Sequence, residues 1–231
     1  MQWNWKGMFF GLLCSAVCMF MIGNMFLGGW DFTGEGGDAG KNNGVQSGSG
    51  GIYTPAALAE DKEYYADINM GGYGKIIVKL NQKAAPITAA NFVALARDGF
   101  YDGLTFHRII SGMMMQGGDP NGDSTGGSEY SIVGEFAENG WDNPLKHERG
   151  VISMSRSGDP NSASSQFFIM HRDYPSLDGK YAAFGEVVSG MTVVDLIVDT
   201  TEIINNDGMV RRTDQPKIVS ITIREEEPLL P

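Results

Sequence analysis

The residues of this chain best suited to chemistry gather in three stretches: Phe106-His107-Arg108-Ile109-Ile110, Gln116-Gly117-Gly118-Asp119 and Ser165-Gln166-Phe167-Phe168-Ile169. Arg108 supplies a guanidinium that stays charged and presents several N–H donors in a rigid fork. His107 beside it titrates near neutrality and invites an acid/base role. Covalent chemistry has little to work with. Both cysteines, Cys14 and Cys18, stand in an apolar N-terminal run, so the rest of the chain offers no thiolate and no Cys-based metal site. The sequence has no His-x-x-x-His zinc pair and no nucleotide-binding glycine motif between a strand and a helix. His147 and His171 lack partners at metal or triad spacing and are read as structural or surface residues. Asp119-x-Asn121-x-Asp123 opens like a calcium loop, but Ser124 and Tyr130 stand where Gly and a bidentate Glu are needed. That segment reads as a turn. What remains is non-covalent: a fixed cation and amide side chains beside apolar rings.

The elements that must position these residues are short. Two β-prone runs, Tyr64 to Met70 and Tyr73 to Leu80, meet at Gly71-Gly72, a hairpin signal. Pro86 to Asp98 carries apolar residues at helical spacing, with Thr88 as the expected N-cap and Gly99 as the stop. Further β-like runs are Thr105 to Ile110, Ser131 to Phe136, Val151 to Ser155, Gln166 to Met170, Ala182 to Val188 and Lys217 to Arg224. A second helix is expected between Gly190 and Thr200. Many short strands with glycine-rich turns and two helices indicate a barrel or a sandwich, which periodicity alone does not separate.

A chain of 231 residues and 25.0 kDa holds one domain of ordinary size plus a tail. Its formal net charge of -11 argues against nucleic acid as a partner, because phosphate binding needs a basic face. From Gly7 to Gly29 the sequence is almost wholly apolar, long enough for a bilayer that takes about 20 such residues. Lys6 flanks one side and Asp31, Glu35 and Asp38 the other, which places the N-terminus in the cytoplasm. The organisation expected is a signal anchor over 1–30, a Gly-rich flexible linker over 31–60 and a folded domain over 61–231. The protein is then single-pass in the cell membrane with its domain outside the cytoplasm, or secreted if the span is cleaved. A monomer is expected.

The three stretches are joined, in order, by Gly126-Gly127, Leu177-Asp178-Gly179-Lys180 and Phe184-Gly185. Together, over about residues 61 to 226, they resemble the cyclophilin family in a form similar to its bacterial members. The resemblance implies a mainly β fold, a closed eight-stranded antiparallel barrel capped by two α-helices, with a substrate groove on its outer face. It also implies a peptidyl-prolyl cis/trans isomerase that acts on proline-containing polypeptides, assists folding and uses no cofactor or metal. Rotating an X-Pro bond means crossing a barrier of about 18–20 kcal/mol set by amide resonance. A catalyst needs only to favour the twisted amide, through an apolar pocket and a fixed donor.

The family's site residues carry over one by one. Arg108 is the catalytic donor, and Gln116 and Gln166 orient the peptide and Arg108. Ser155 and Arg156 contact the peptide ahead of proline through their backbone. Met114, Phe168 and Leu177 wall the proline pocket, and Met113 stands where members usually carry Phe. Tyr181 occupies a position that is often His. His107 has a binding role at most, because rotation transfers no proton. Met113 predicts retained but reduced turnover, and Ser176, near a Trp of eukaryotic members, predicts weak cyclosporin inhibition. The alternative is a catalytically weak groove that binds proline-containing segments at the membrane surface.

Overall fold

The computed structural model describes residues 51–226. The expected membrane span and most of the linker lie outside the described residues, among which no helix is long and apolar enough to cross a membrane.

Eight antiparallel strands form one curled sheet in the order β3-β4-β6-β5-β7-β2-β1-β8. They are β1 (Glu63–Met70), β2 (Gly74–Leu80), β3 (Phe106–Ile110), β4 (Met114–Gly117), β5 (Val151–Met154), β6 (Phe167–Met170), β7 (Ala183–Ser189) and β8 (Ile218–Glu226). Two helices, α1 (Pro86–Arg97) and α2 (Met191–Thr200), accompany the sheet. The family resemblance implies a closed barrel, but the strand ladder stays open between β3 and β8. The outer edge of β3 is taken by a turn: Ile109 N–H donates to the Gly208 carbonyl at 2.7 Å and Val210 N–H to that of His107 at 2.9 Å. Contact is confined to the first residues of β3 and β8 and those just ahead of them, where Phe106 N–H reaches the Pro216 carbonyl at 2.9 Å and Ile218 N–H that of Leu104 at 2.8 Å.

Two strand assignments differ from expectation. Ser131 to Phe136, expected as a strand, pairs only through isolated bridges, Ile132 with Ala163 and Ser131 with Ile52. Met114–Gly117, which shows no alternation, is β4. All four of its residues are buried, so both faces are covered and the polar half of the pattern vanishes.

Helix α1 begins at Pro86, where the absent N–H costs nothing. Thr88 is not its N-cap, because that position falls to Ala85, whose side chain cannot accept a hydrogen bond. The cap comes from Glu135, a fully buried residue. One of its carboxylate oxygens accepts from Ile87 N–H at 2.9 Å and the other from Thr88 N–H at 2.7 Å. Gly99 ends the helix in the left-handed region at φ 70°.

Alternation along β6 divides the apolar residues into two clusters. Phe167 and Ile169 point into the main core, whereas Phe168 and Met170 join a second cluster with Met114 and Val151 on the other face. Inside, the rings of Phe92, Tyr101 and Phe106 each lie within 5.7 Å of the Phe167 ring. Truncating such a ring costs about 3–5 kcal/mol, which makes the inner face a rigid base for the outer one. Residues from the end of the expected linker also lie on the domain. Tyr53 N–H donates to the Ser131 carbonyl at 2.7 Å, and its ring stands 4.1 Å from that of Tyr130.

Candidate active site

The outer cluster forms one wall of a groove of about 750 Å³. Met113 and Met114 enter it from the start of β4, Phe168 from β6, and Leu177 from the 3-10 turn Pro175–Leu177. Tyr181 packs edge-on against Phe168, 5.7 Å between centroids. Phe168 is backed in turn by His147, whose ring lies nearly parallel at 6.0 Å.

His147 is buried and its two ring nitrogens are both engaged, Nδ1 with Asp178 and Nε2 with Ser153, each at 3.1 Å. A Ser–His–Asp series suggests nucleophilic catalysis, but Ser153 is 0% exposed and no substrate carbonyl can reach it. The series braces Phe168 and the turn that carries Leu177.

Arg108 stands across from this apolar wall. Its Nε donates to the Asp207 carbonyl at 2.7 Å and its Nη1 to Gln116 Oε1 at 3.2 Å. The second bond follows from register, since Arg108 and Gln116 face each other across the β3–β4 pair. Gln116 Nε2 donates onward to Gln166 Oε1 at 2.8 Å and to Ser155 Oγ at 3.1 Å. Gln166 Nε2 then reaches the Gly126 carbonyl at 2.7 Å. Each amide is thus oriented at both ends, and among the described residues no carboxylate forms an ion pair with the guanidinium.

Gly118 shows why this corner needs glycine. Its φ is 79°, and an added Cβ would lie 2.6 Å from the Ser165 carbonyl oxygen. Arg156 sits at the groove with its guanidinium 5.0 Å from the Phe136 and Tyr181 rings, and its Nε donates to the Lys180 carbonyl at 2.9 Å.

Every site residue expected from sequence lines this groove except His107. His107 is fully buried, and neither ring nitrogen has a hydrogen-bond partner among the described residues. Burial pushes its pKa down, against the pull of Asp119, which favours the neutral ring.

The structure adds the turn Asp207-Gly208-Met209, which sequence reading passes over. Asn205 Oδ1 accepts from the N–H groups of Asp207 and Met209 at 3.1 and 3.0 Å, setting the turn that presents the Asp207 carbonyl to Arg108. The Asn205-Asn206-Asp207-Gly208 run is a turn signature that could have drawn attention to it.

The family model for cyclophilin-type peptidyl-prolyl cis-trans isomerases matches residues 65–223. The chain belongs to the cyclophilin family. A cyclophilin relative from Helicobacter pylori strain J99, named peptidyl-prolyl cis-trans isomerase, is 45% identical over 138 residues, 59% of this chain and 82% of its own length. Peptidyl-prolyl cis-trans isomerase B of Bacillus subtilis is 49% identical over 117 residues, 51% of this chain and 78% of its own. Among solved cyclophilins, that of Cryptosporidium parvum, crystallised in the presence of the dipeptide Ala-Pro, is similar with a TM-score of 0.62 at 29% identity. That likeness covers 70% of this chain and 99% of the other.

Proposed function

We infer that the chain is a peptidyl-prolyl cis-trans isomerase, accelerating rotation about X-Pro bonds in polypeptides. The observation that carries this reading is Arg108, a guanidinium fixed by the Asp207 carbonyl and Gln116 beside an apolar wall of Met114, Phe168 and Leu177. The wall receives the proline ring. The guanidinium donates to the amide as it twists and its nitrogen becomes pyramidal, an interaction stronger in the transition state than in either planar form. No proton moves and no covalent bond forms, which fits a buried His107 that burial keeps neutral.

Substrates are proline-containing segments of proteins, consistent with the Ala-Pro dipeptide used with the Cryptosporidium relative. The apolar span over Gly7 to Gly29, with Lys6 before it and acidic residues after it, supports a single-pass protein whose isomerase domain works outside the cytoplasmic membrane, or is secreted after cleavage.

Exchange spectroscopy on an Ala-Pro peptide tests the activity. Uncatalysed interconversion takes roughly tens to hundreds of seconds, and the protein is expected to shorten it by orders of magnitude at catalytic concentration. Peptide binding without acceleration would instead identify a proline-binding module, the reading that Met113 on the pocket wall favours.

A further inference from the structure

Behind the turn that carries Met113, outside the groove, lies a set of contacts centred on the buried His171. Gly112, at φ 77°, aims its N–H at Nδ1 of His171, 3.1 Å away. The His171 backbone grips the same turn, its N–H donating to the Met113 carbonyl at 2.8 Å. On the far side of the ring, Nε2 faces Oδ1 of Asp195 on α2 at 3.3 Å. Arg149 clamps that carboxylate through Nη1 and Nη2 at 2.8 and 2.7 Å, and its Nη1 also reaches the His171 carbonyl at 2.8 Å. His171 itself is 4% exposed. Because Nδ1 meets a donor it must present a lone pair, so the hydrogen sits on Nε2 and points at Asp195.

We propose that His171, as its neutral Nε2–H tautomer, is a positioning residue for the proline pocket. It ties the turn over residues 111–113, and through it Met113, to the Asp195–Arg149 pair. This deepens the isomerase reading and rests on it. A methionine has three rotatable bonds and no rigid ring, so its place in the groove depends on where the backbone delivers it. A second proton, on Nδ1, would set one N–H against another and release the turn. Burial opposes that proton most, Arg172 and Arg149 oppose it too, and Asp195 and Asp199 of α2 favour it, leaving the pKa below the ordinary 6.5.

The test compares full-length wild type, His171→Asn and His171→Leu. An Asn carbonyl can occupy the place of Nδ1 and accept from Gly112 without titrating. For His171→Leu, Gly112 amide exchange is expected to quicken and KM for an Ala-Pro peptide to rise, each by about 3- to 10-fold, the range set by one neutral hydrogen bond, with kcat less affected. His171→Asn should restore both and abolish the rise in KM expected of wild type at acid pH, where a second proton would reach Nδ1. Wild-type exchange and KM in His171→Leu, or no rescue by Asn, would overturn the proposal. If the Leu variant does not fold, the wild-type Gly112 amide shift decides: it must titrate with the His171 ring, and an independent course refutes the link. A wild type that binds the peptide without isomerising it counts against the isomerase reading alone; the Gly112 measurements and peptide Kd then judge His171.

Discussion

Replacing Gln116 with Ala should disable Arg108 without touching it. Gln116 is 6% exposed and joins three neighbours: it accepts from Arg108 Nη1 at 3.2 Å and donates to Gln166 Oε1 at 2.8 Å and Ser155 Oγ at 3.1 Å. Ala removes all three bonds and leaves Arg108 anchored through Nε to the Asp207 carbonyl alone. A hydrogen bond to a charged group is worth about 1.5–3 kcal/mol. If that energy holds the guanidinium in its productive position, kcat/KM falls by roughly 10- to 150-fold at about 1.4 kcal/mol per decade. Orphaning the partly buried Gln166 carbonyl oxygen adds about 1–3 kcal/mol of destabilisation, seen as a lower Tm. Kinetics on an Ala-Pro peptide should be run on wild type, Gln116→Ala, Arg108→Ala and the double variant. Acting through Arg108, Gln116 should matter little once Arg108 is gone, so the double variant should match Arg108→Ala. Full multiplication of the two losses would refute the idea that Gln116 works by holding the arginine.

Three further outcomes are expected. Met113→Phe should raise kcat/KM by about 2- to 10-fold, since an aromatic contact adds about 0.5–1.5 kcal/mol, and an unchanged or lower value in a folded variant would show that the ring is not what the pocket lacks. Glu135→Ala strips the cap from α1 and leaves the Ile87 and Thr88 amides unpaired, so thermal melting should show a loss of about 2–4 kcal/mol; an unmoved Tm removes Glu135 from the account. Burial lowers the pKa of His107, His147 and His171 from 6.5, so between their folded values and 6.5 the unfolded chain binds more protons. Stability is therefore full above about pH 6.5 and falls as pH drops below it, each histidine contributing at most about 1.4 kcal/mol per pH unit, and a flat urea midpoint across that window would contradict the burial of these rings.

The strands that pair by simple alternation, and the helices bounded by Pro86, Gly99 and Gly190, were legible in the sequence because local chemistry decides them. β4 was not, because Met115 packs into the core while Met114 faces the outer cluster, and burial on both sides erases the pattern. Ser131 to Phe136 misled for the opposite reason: Ile132 and Phe136 do point inward, but only isolated bridges hold that segment. The cap of α1 comes from a carboxylate 47 residues away from the amide it accepts, beyond any local motif. Within the candidate site, Arg108, Gln116 and Gln166 were singled out by the family resemblance, and the fold brings the three side chains together. The Asp207 carbonyl that holds Arg108 was not, because a backbone acceptor has no residue type of its own. His147 and His171 were likewise opaque, their partners Asp178 and Asp195 being brought to them only by the folded sheet and α2.

The central claim is that a fixed guanidinium, and no proton transfer, drives isomerisation. Measuring kcat/KM on an Ala-Pro peptide for wild type, Arg108→Lys and Arg108→Ala tests it most directly. Loss of one preorganised donor costs about 10²–10³-fold in kcat, so Arg108→Ala should fall by that amount. Lys keeps the charge but not the fork that engages both Asp207 and Gln116, and should fall between the two. An Arg108→Ala protein that is folded, binds the peptide and isomerises it at the wild-type rate would contradict the account.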